Sequence, residues 1–112
     1  MITLTNVGAN YDTISAAKGL GLGLVDFTGV TAITLAVYCN KIGSGTQTWQ
    51  LWNVTDAAEI GAIADAGVSG EKALQQTFSV ALSGVKIVRV RVKSTVAGDD
   101  PVFYGGAILV AG

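Results

Sequence analysis

The chain contains no histidine, one cysteine and one proline, and only 13% of its 112 residues carry charge. Without histidine it lacks the side chain best suited to proton transfer near neutral pH, and with it any Ser–His or Cys–His nucleophile pair. A lone cysteine, Cys39, excludes an internal disulfide and a cysteine-based zinc site. It sits in the apolar run 33–39 and reads as a small core hydrophobe rather than a nucleophile. No apolar run reaches the ~18 residues a membrane helix needs, because Thr, Gly, Asn and Lys interrupt each one. The opening MITLTNVGAN shows no basic segment ahead of an apolar one, so no secretory leader is expected. A net charge of −1 supplies no global attraction to nucleic acid or to an anionic membrane.

Scarce charge also limits what can cover the surface. A folded monomer of this mass exposes roughly 5,800 Å², and an average soluble domain is about 25% charged. Here half of the residues are hydrophobic. Small residues must cover much of the outside, and a face that meets other proteins is expected. The length fits one domain over residues 1–112.

What is present is a β rhythm. Turn residues recur at Asn6–Asn10, Gly29, Gly43-Ser44-Gly45, 56–58, 65–70, Ser83-Gly84 and 98–101. Between them lie strand-like segments near 2–6, 20–27, 31–40, 46–54, 59–64, 73–82, 86–95 and 102–110. The alanine-rich stretch 56–66 leaves a short helix open as a second reading. Several segments sort into two faces. Ile33, Leu35, Val37 and Cys39 oppose Ala32, Thr34, Ala36 and Tyr38, while Val88, Val90 and Val92 oppose Ile87, Arg89, Arg91 and Lys93. In 73–82, Leu74, Phe78, Val80 and Leu82 share a face on which Gln76 intrudes. Such alternation belongs to antiparallel sheets with one wet face. The expected fold is an all-β, two-sheet antiparallel sandwich of jelly-roll type, with about eight strands.

Two segments depart from that pattern. Gly19-Leu20-Gly21-Leu22-Gly23-Leu24 places leucines against bare glycines, and its phase slips at Leu24-Val25 as a β-bulge would cause. The last segment is apolar or small on both faces, with Phe103 and Tyr104, and Ile108 and Leu109, on opposing sides. It is the leading candidate for a surface covered by a second subunit.

Candidate chemistry is sparse. The glycine run lacks the spacing of a dinucleotide fingerprint and the Lys-Ser/Thr of a phosphate loop. The carboxylates sit mostly at turns, where Asp caps backbone, so a catalytic pair is not expected. Asp99 and Asp100, with Asp56 or Glu59 from another loop, offer hard oxygens for Ca²⁺, but without EF-hand spacing a turn is the better reading. Arg89, Arg91 and Lys93 form a basic ladder that suits an acidic protein surface, or else a solvated face. No aromatic residue interleaves with these cations along the chain, which disfavours nucleic acid. Trp49 shares a face with Leu51 and reads as core. Trp52 lies on the face of Thr48 and Gln50, near Tyr38 if 31–40 and 46–54 form a hairpin, and such a pair would anchor a protein interface or stack on a sugar ring. Asn53-Val54-Thr55 matches a glycosylation sequon, which is discounted without a leader.

Two blocks, TQTWQLWNVTDAAEI (46–60) and RVKSTVAGDDPVFYGG (91–106), resemble small structural proteins of tailed bacteriophages. There a polar–Trp–Gln–Leu–aromatic–Asn–Val–Thr–Asp strand and turn recurs with an Asp-Asp-Pro–hydrophobic–aromatic–Tyr-Gly turn. The resemblance implies a β-sandwich on a virion, above all a head decoration (cement) protein that binds the outer capsid and bridges its subunits. It implies a major capsid protein and further copies of the chain as partners, a trimer being favoured, and synthesis in the host cytoplasm. No enzyme activity, cofactor or metal is expected. The interface residues expected are Arg89, Arg91, Lys93, Tyr38, Trp52, Phe103 and Tyr104. The alternative is a carbohydrate-binding or host-recognition module of a tail or fibre.

Overall fold

Alternation of apolar and polar residues becomes strand throughout the computed structural model, which describes residues 2–13 and 23–112. Nine strands appear among the described residues: β1 (Ile2–Thr3), β2 (Asp12–Thr13), β3 (Gly23–Asp26), β4 (Ala32–Lys41), β5 (Gln47–Asn53), β6 (Ala58–Asp65), β7 (Gly70–Ser79), β8 (Val85–Ser94) and β9 (Val102–Ala111). The alanine-rich stretch is strand β6, not a helix. Its Gly61 explains the choice, because a methyl group added there would run into the ring of Phe78. A strand with a bare position lets that ring lie flat on the backbone.

One sheet has the order β1-β9-β4-β7 and the other β2-β8-β5-β6, with β3 sharing the β2 edge of β8. All pairings are antiparallel. The chain changes sheet at every connection except β2–β3 and β5–β6, which is the topology of a jelly roll. For brevity the first sheet is called A and the second B. The 5532 Å² of exposed surface agrees with the monomer scaling, so scarce charge does have to cover an ordinary surface.

The faces expected for β4 and β8 are those observed. Ile33, Leu35 and Cys39 of β4 and Val88, Val90 and Val92 of β8 are all fully buried between the sheets. Trp49 of β5 is buried with them, its ring centroid 5.9 Å from that of Phe103 on β9. Burial pushes the Cys39 thiol up to about 11, with the Asp65 charge adding to the effect, so it stays a protonated packing group.

Two expectations change. Phe103 was assigned to an interface, yet it is 1% exposed and belongs to the core. The last strand is an inner strand of sheet A, and its outer Leu109 is 60% exposed in the single chain. The anticipated bulge at Leu24-Val25 is absent, since β3 pairs with β8 in unbroken register from Gly23 to Asp26. The earlier glycines and leucines of that run, 19–22, lie outside the described residues. Bulges occur elsewhere. Tyr38 pairs with Gly105 while Cys39 pairs with Phe103, which leaves Tyr104 as the extra residue of β9. Likewise Leu51 pairs with Gly61 and Trp52 with Glu59, so Ile60 is extra in β6.

At one end of the sandwich polar side chains hold the loops. Gln47 donates its amide to the Ile42 and Asp99 carbonyls, both at 2.9 Å. Lys41 donates to the Gly43 carbonyl at 3.0 Å, and Asp99 accepts from the Gly45 N–H at 3.1 Å. Gly43 has φ of 80° and faces the Asp99 carboxylate so closely that no side chain fits.

Two stability tests follow from this packing. Gly61→Ala should cost about 1–3 kcal/mol by displacing Phe78, and Trp49→Ala about 3–5 kcal/mol by opening a cavity at the sheet–sheet contact. Urea unfolding midpoints at constant m-value measure both, and a Gly61→Ala protein as stable as the parent would show that Phe78 does not rest there.

Candidate functional site

Inward positions are spent on the core, so function must lie on the outer faces or the ends. The two outer faces differ sharply in chemistry. On sheet A the register brings outward the rows Ala32–Ser79–Ala111, Thr34–Thr77–Leu109, Ala36–Gln75–Ala107, Tyr38–Ala73–Gly105 and Asn40–Glu71. Glu71 is the one ionisable carboxylate among them. The face is otherwise small and neutral, and Thr34 and Thr77 satisfy each other at 2.7 Å.

The Tyr104 bulge gives this face relief. Because Tyr104 has no partner in β4, its ring turns outward beside Tyr38, with centroids 5.0 Å apart and planes tilted by 35°. Tyr38 donates to Glu71 Oε2 at 3.1 Å and Tyr104 to Glu71 Oε1 at 3.2 Å. One carboxylate therefore holds both phenols. The Glu71 hydrogen bond raises the Tyr38 pKa. For Tyr104 burial is the larger cause and Glu71 the second. Tyr38 is 46% exposed and walls a shallow groove of about 240 Å³, floored by Ala36, Ala73 and Gly105–Ala107, with Gln75 on its rim.

Sheet B turns a different face outward. Thr48, Gln50 and Trp52 of β5 lie beside Lys93, Arg91 and Arg89 of β8, pair by pair. The Arg91 guanidinium carbon lies 3.9 Å from the Trp52 ring centroid and 5.1 Å from that of Tyr11, and Lys93 Nζ lies 4.5 Å above Tyr11. Arg91 Nε and Nη2 both donate to Gln50 Oε1, at 2.8 and 2.5 Å, and Gln50 Nε2 donates to Glu59 Oε1 at 2.9 Å. Burial under these rings lowers the Arg91 pKa, and neighbouring Arg89 adds to the shift, but a guanidinium remains charged at any physiological pH. The array is a ladder of cations and aromatic rings in alternation.

Of the expected interface residues, Arg89, Arg91, Lys93 and Trp52 therefore share the outer face of sheet B, and Tyr38 and Tyr104 share that of sheet A. Trp52 and Tyr38 do not meet. The connection 42–46 carries the chain from one sheet to the other, so β4 and β5 are not a hairpin and the two rings lie on opposite sides of the sandwich. Aromatic rings do interleave with the basic ladder, contrary to the reading along the chain, because Trp52 comes from the neighbouring strand β5 and Tyr11 from the residue just before β2. Tyr11 was missed. It precedes a two-residue strand, too short to show alternation.

The carboxylates cap and brace the fold. Asp100 accepts from the N–H groups of Asn6 and Val7 at 3.1 and 2.8 Å. Asp56 pairs with Lys86 at 2.9 Å and takes the Asn53 amide at 2.8 Å, which also commits the sequon asparagine to the β5–β6 turn. That Lys86 contact is the first cause of a lowered Asp56 pKa. Asp56 and Asp99 sit beyond opposite ends of β5, a strand of seven residues and so about 20 Å apart. The Ca²⁺ grouping of Asp99 and Asp100 with Asp56 or Glu59 is not assembled, and no cluster of three metal-ligating side chains occurs among the described residues.

No family model and no curated protein matches the chain. Among solved structures, a carbohydrate-binding module from Cellvibrio mixtus lichenase 5A, in complex with cellotriose, superposes with a TM-score of 0.48 and 14% identity. The alignment covers 100% of this chain and 98% of the module.

The tyrosine pair carries a pH test. A phenol with a raised folded-state pKa contributes stability that is complete below the unfolded value, near 10, and lost as pH rises through the folded one. In a Tyr11→Phe background, ultraviolet titration should show Tyr38 and Tyr104 ionising above free tyrosine. Glu71→Gln should return Tyr38 towards the free value and Tyr104 only in part. Identical titrations with and without Glu71 would refute the shared anchor.

Proposed function

We propose that this chain is a non-enzymatic binding module that takes a saccharide ring against Tyr38 on the outer face of sheet A. The observation that carries the reading is the groove beside that ring. An exposed aromatic wall, stiffened from behind by Tyr104 and Glu71, stands over a floor of alanine and glycine. The groove is smaller than the ~300–1,000 Å³ of pockets for drug-sized ligands, which suits one sugar ring rather than a bulky molecule. The apolar face of the sugar would lie on Tyr38 and its hydroxyls would meet Gln75 and the phenol. The absence of histidine and the structural engagement of the carboxylates favour binding over turnover.

A second reading rests on a separate observation. The rest of the sheet A face is flat and almost chargeless, the character of a surface that docks on protein. It supports the virion decoration role implied by the bacteriophage resemblance, with capsid subunits or further copies of the chain as partners. Several residues of the two resembling blocks are used by the fold itself: Trp49, Leu51 and Phe103 in the core, Asn53, Asp56 and Asp100 in turns.

A neutral glycan array followed by fluorescence titration tests the first reading. Saturable binding is expected, weakened about tenfold or more by Tyr38→Ala and little changed by Tyr38→Phe. Silence on the array, or a Tyr38→Ala protein that binds as well as the parent, overturns it. Saturable attachment to purified phage heads, or a trimer in solution, would then favour decoration.

A further inference from the structure

From the ladder on the opposite face we infer a second binding surface, made by Tyr11, Trp52, Arg91 and Lys93, for an acidic saccharide chain bearing carboxylate or sulfate groups. It is independent of the Tyr38 groove, which lies across the sandwich and carries little charge.

The argument begins with where the charge is. Of the seven basic residues in the chain, Arg89, Arg91 and Lys93 point outward from one strand. Alternate residues of a strand are about 6.7 Å apart, so the cations form a straight row. Among the described side chains, Glu59 faces this ladder and is engaged with Gln50. The chain as a whole is slightly acidic, and this face is its cationic exception.

The rings decide how the row is held. Stacking on Trp52 and Tyr11, together with two bonds to Gln50, fixes the plane of Arg91, so little side-chain freedom is left to lose on binding. With Nε and Nη2 spent on Gln50, the remaining guanidinium N–H groups are available to an anionic oxygen. A row one strand wide suits a linear chain better than a broad protein surface. Tyr11 and Trp52, both half-buried, add apolar surface beside the cations for the C–H groups of a sugar. Arg91 already occupies a face of Trp52 that a nucleotide base would need, which makes single-stranded nucleic acid the poorer fit.

Isothermal titration of the full chain tests this with five probes: a heparin octasaccharide, an oligogalacturonate, cellohexaose, oligo-dT and a poly-glutamate peptide. The two acidic saccharides should bind with affinity that falls as salt rises, and more tightly than oligo-dT or poly-glutamate. Arg91→Ala should weaken them about tenfold or more, and Arg91→Lys should restore only part, since lysine keeps the charge but not the plane. Lys93→Ala alters a half-buried side chain at the edge of the ladder and should lower the salt slope by about one. Tyr38→Ala should leave these affinities unchanged, which separates this surface from the groove. Equal binding of all four polyanions overturns the saccharide assignment in favour of a general polyanion surface. Absence of acidic-saccharide binding, or indifference to both Arg91→Ala and Lys93→Ala, overturns the surface itself.

Discussion

The contact between Trp49 and Phe103 joins the two sheets, and the outer surfaces follow from it. Trp49 lies in the middle of β5 and Phe103 near the start of β9, and their rings meet in the core 5.9 Å apart. With Trp49 inward, alternation drives Gln50 and Trp52 outward, where they meet Arg91. With Phe103 inward beside Cys39, the extra residue Tyr104 turns outward beside Tyr38. Both candidate surfaces are consequences of one packed aromatic pair and two strand periods.

The distribution of charge gives the low total its meaning. Acidic side chains gather at the ends of the sandwich, where Asp100, Asp99 and Asp56 secure the loops. Cations gather on the outside of β8. The outer face of sheet A is left nearly neutral. A net charge of −1 thus describes no surface in particular. A long-range field is absent, but a local one is not, and short-range recognition depends on the local one.

Much of the fold was legible because a side-chain period of two is a strong signal. Ile33, Leu35 and Cys39, and Val88, Val90 and Val92, could be assigned to the core from spacing alone, and they are there. The site was less legible. Trp52 and Tyr38 looked like neighbours because a short connection between two strands suggests a hairpin, whereas 42–46 crosses between sheets. The Tyr104 bulge left no mark in the sequence, since an extra residue changes phase only relative to its partner strand. Tyr11 gave no periodic signal at all. Its contribution comes from standing beside Lys93 and Arg91 once β2 has paired with β8.

By itself the sequence determined an all-β sandwich, the buried faces of β4 and β8, the outward direction of the basic ladder and the lack of histidine. These are local properties, written in alternation and composition. Only the tertiary structure decided which strands lie side by side, and therefore that Trp52 stacks on arginine rather than on Tyr38 and that Tyr104 pairs with it. Strand order and bulge position arise from contacts between residues far apart in the chain. No spacing within a single strand encodes them.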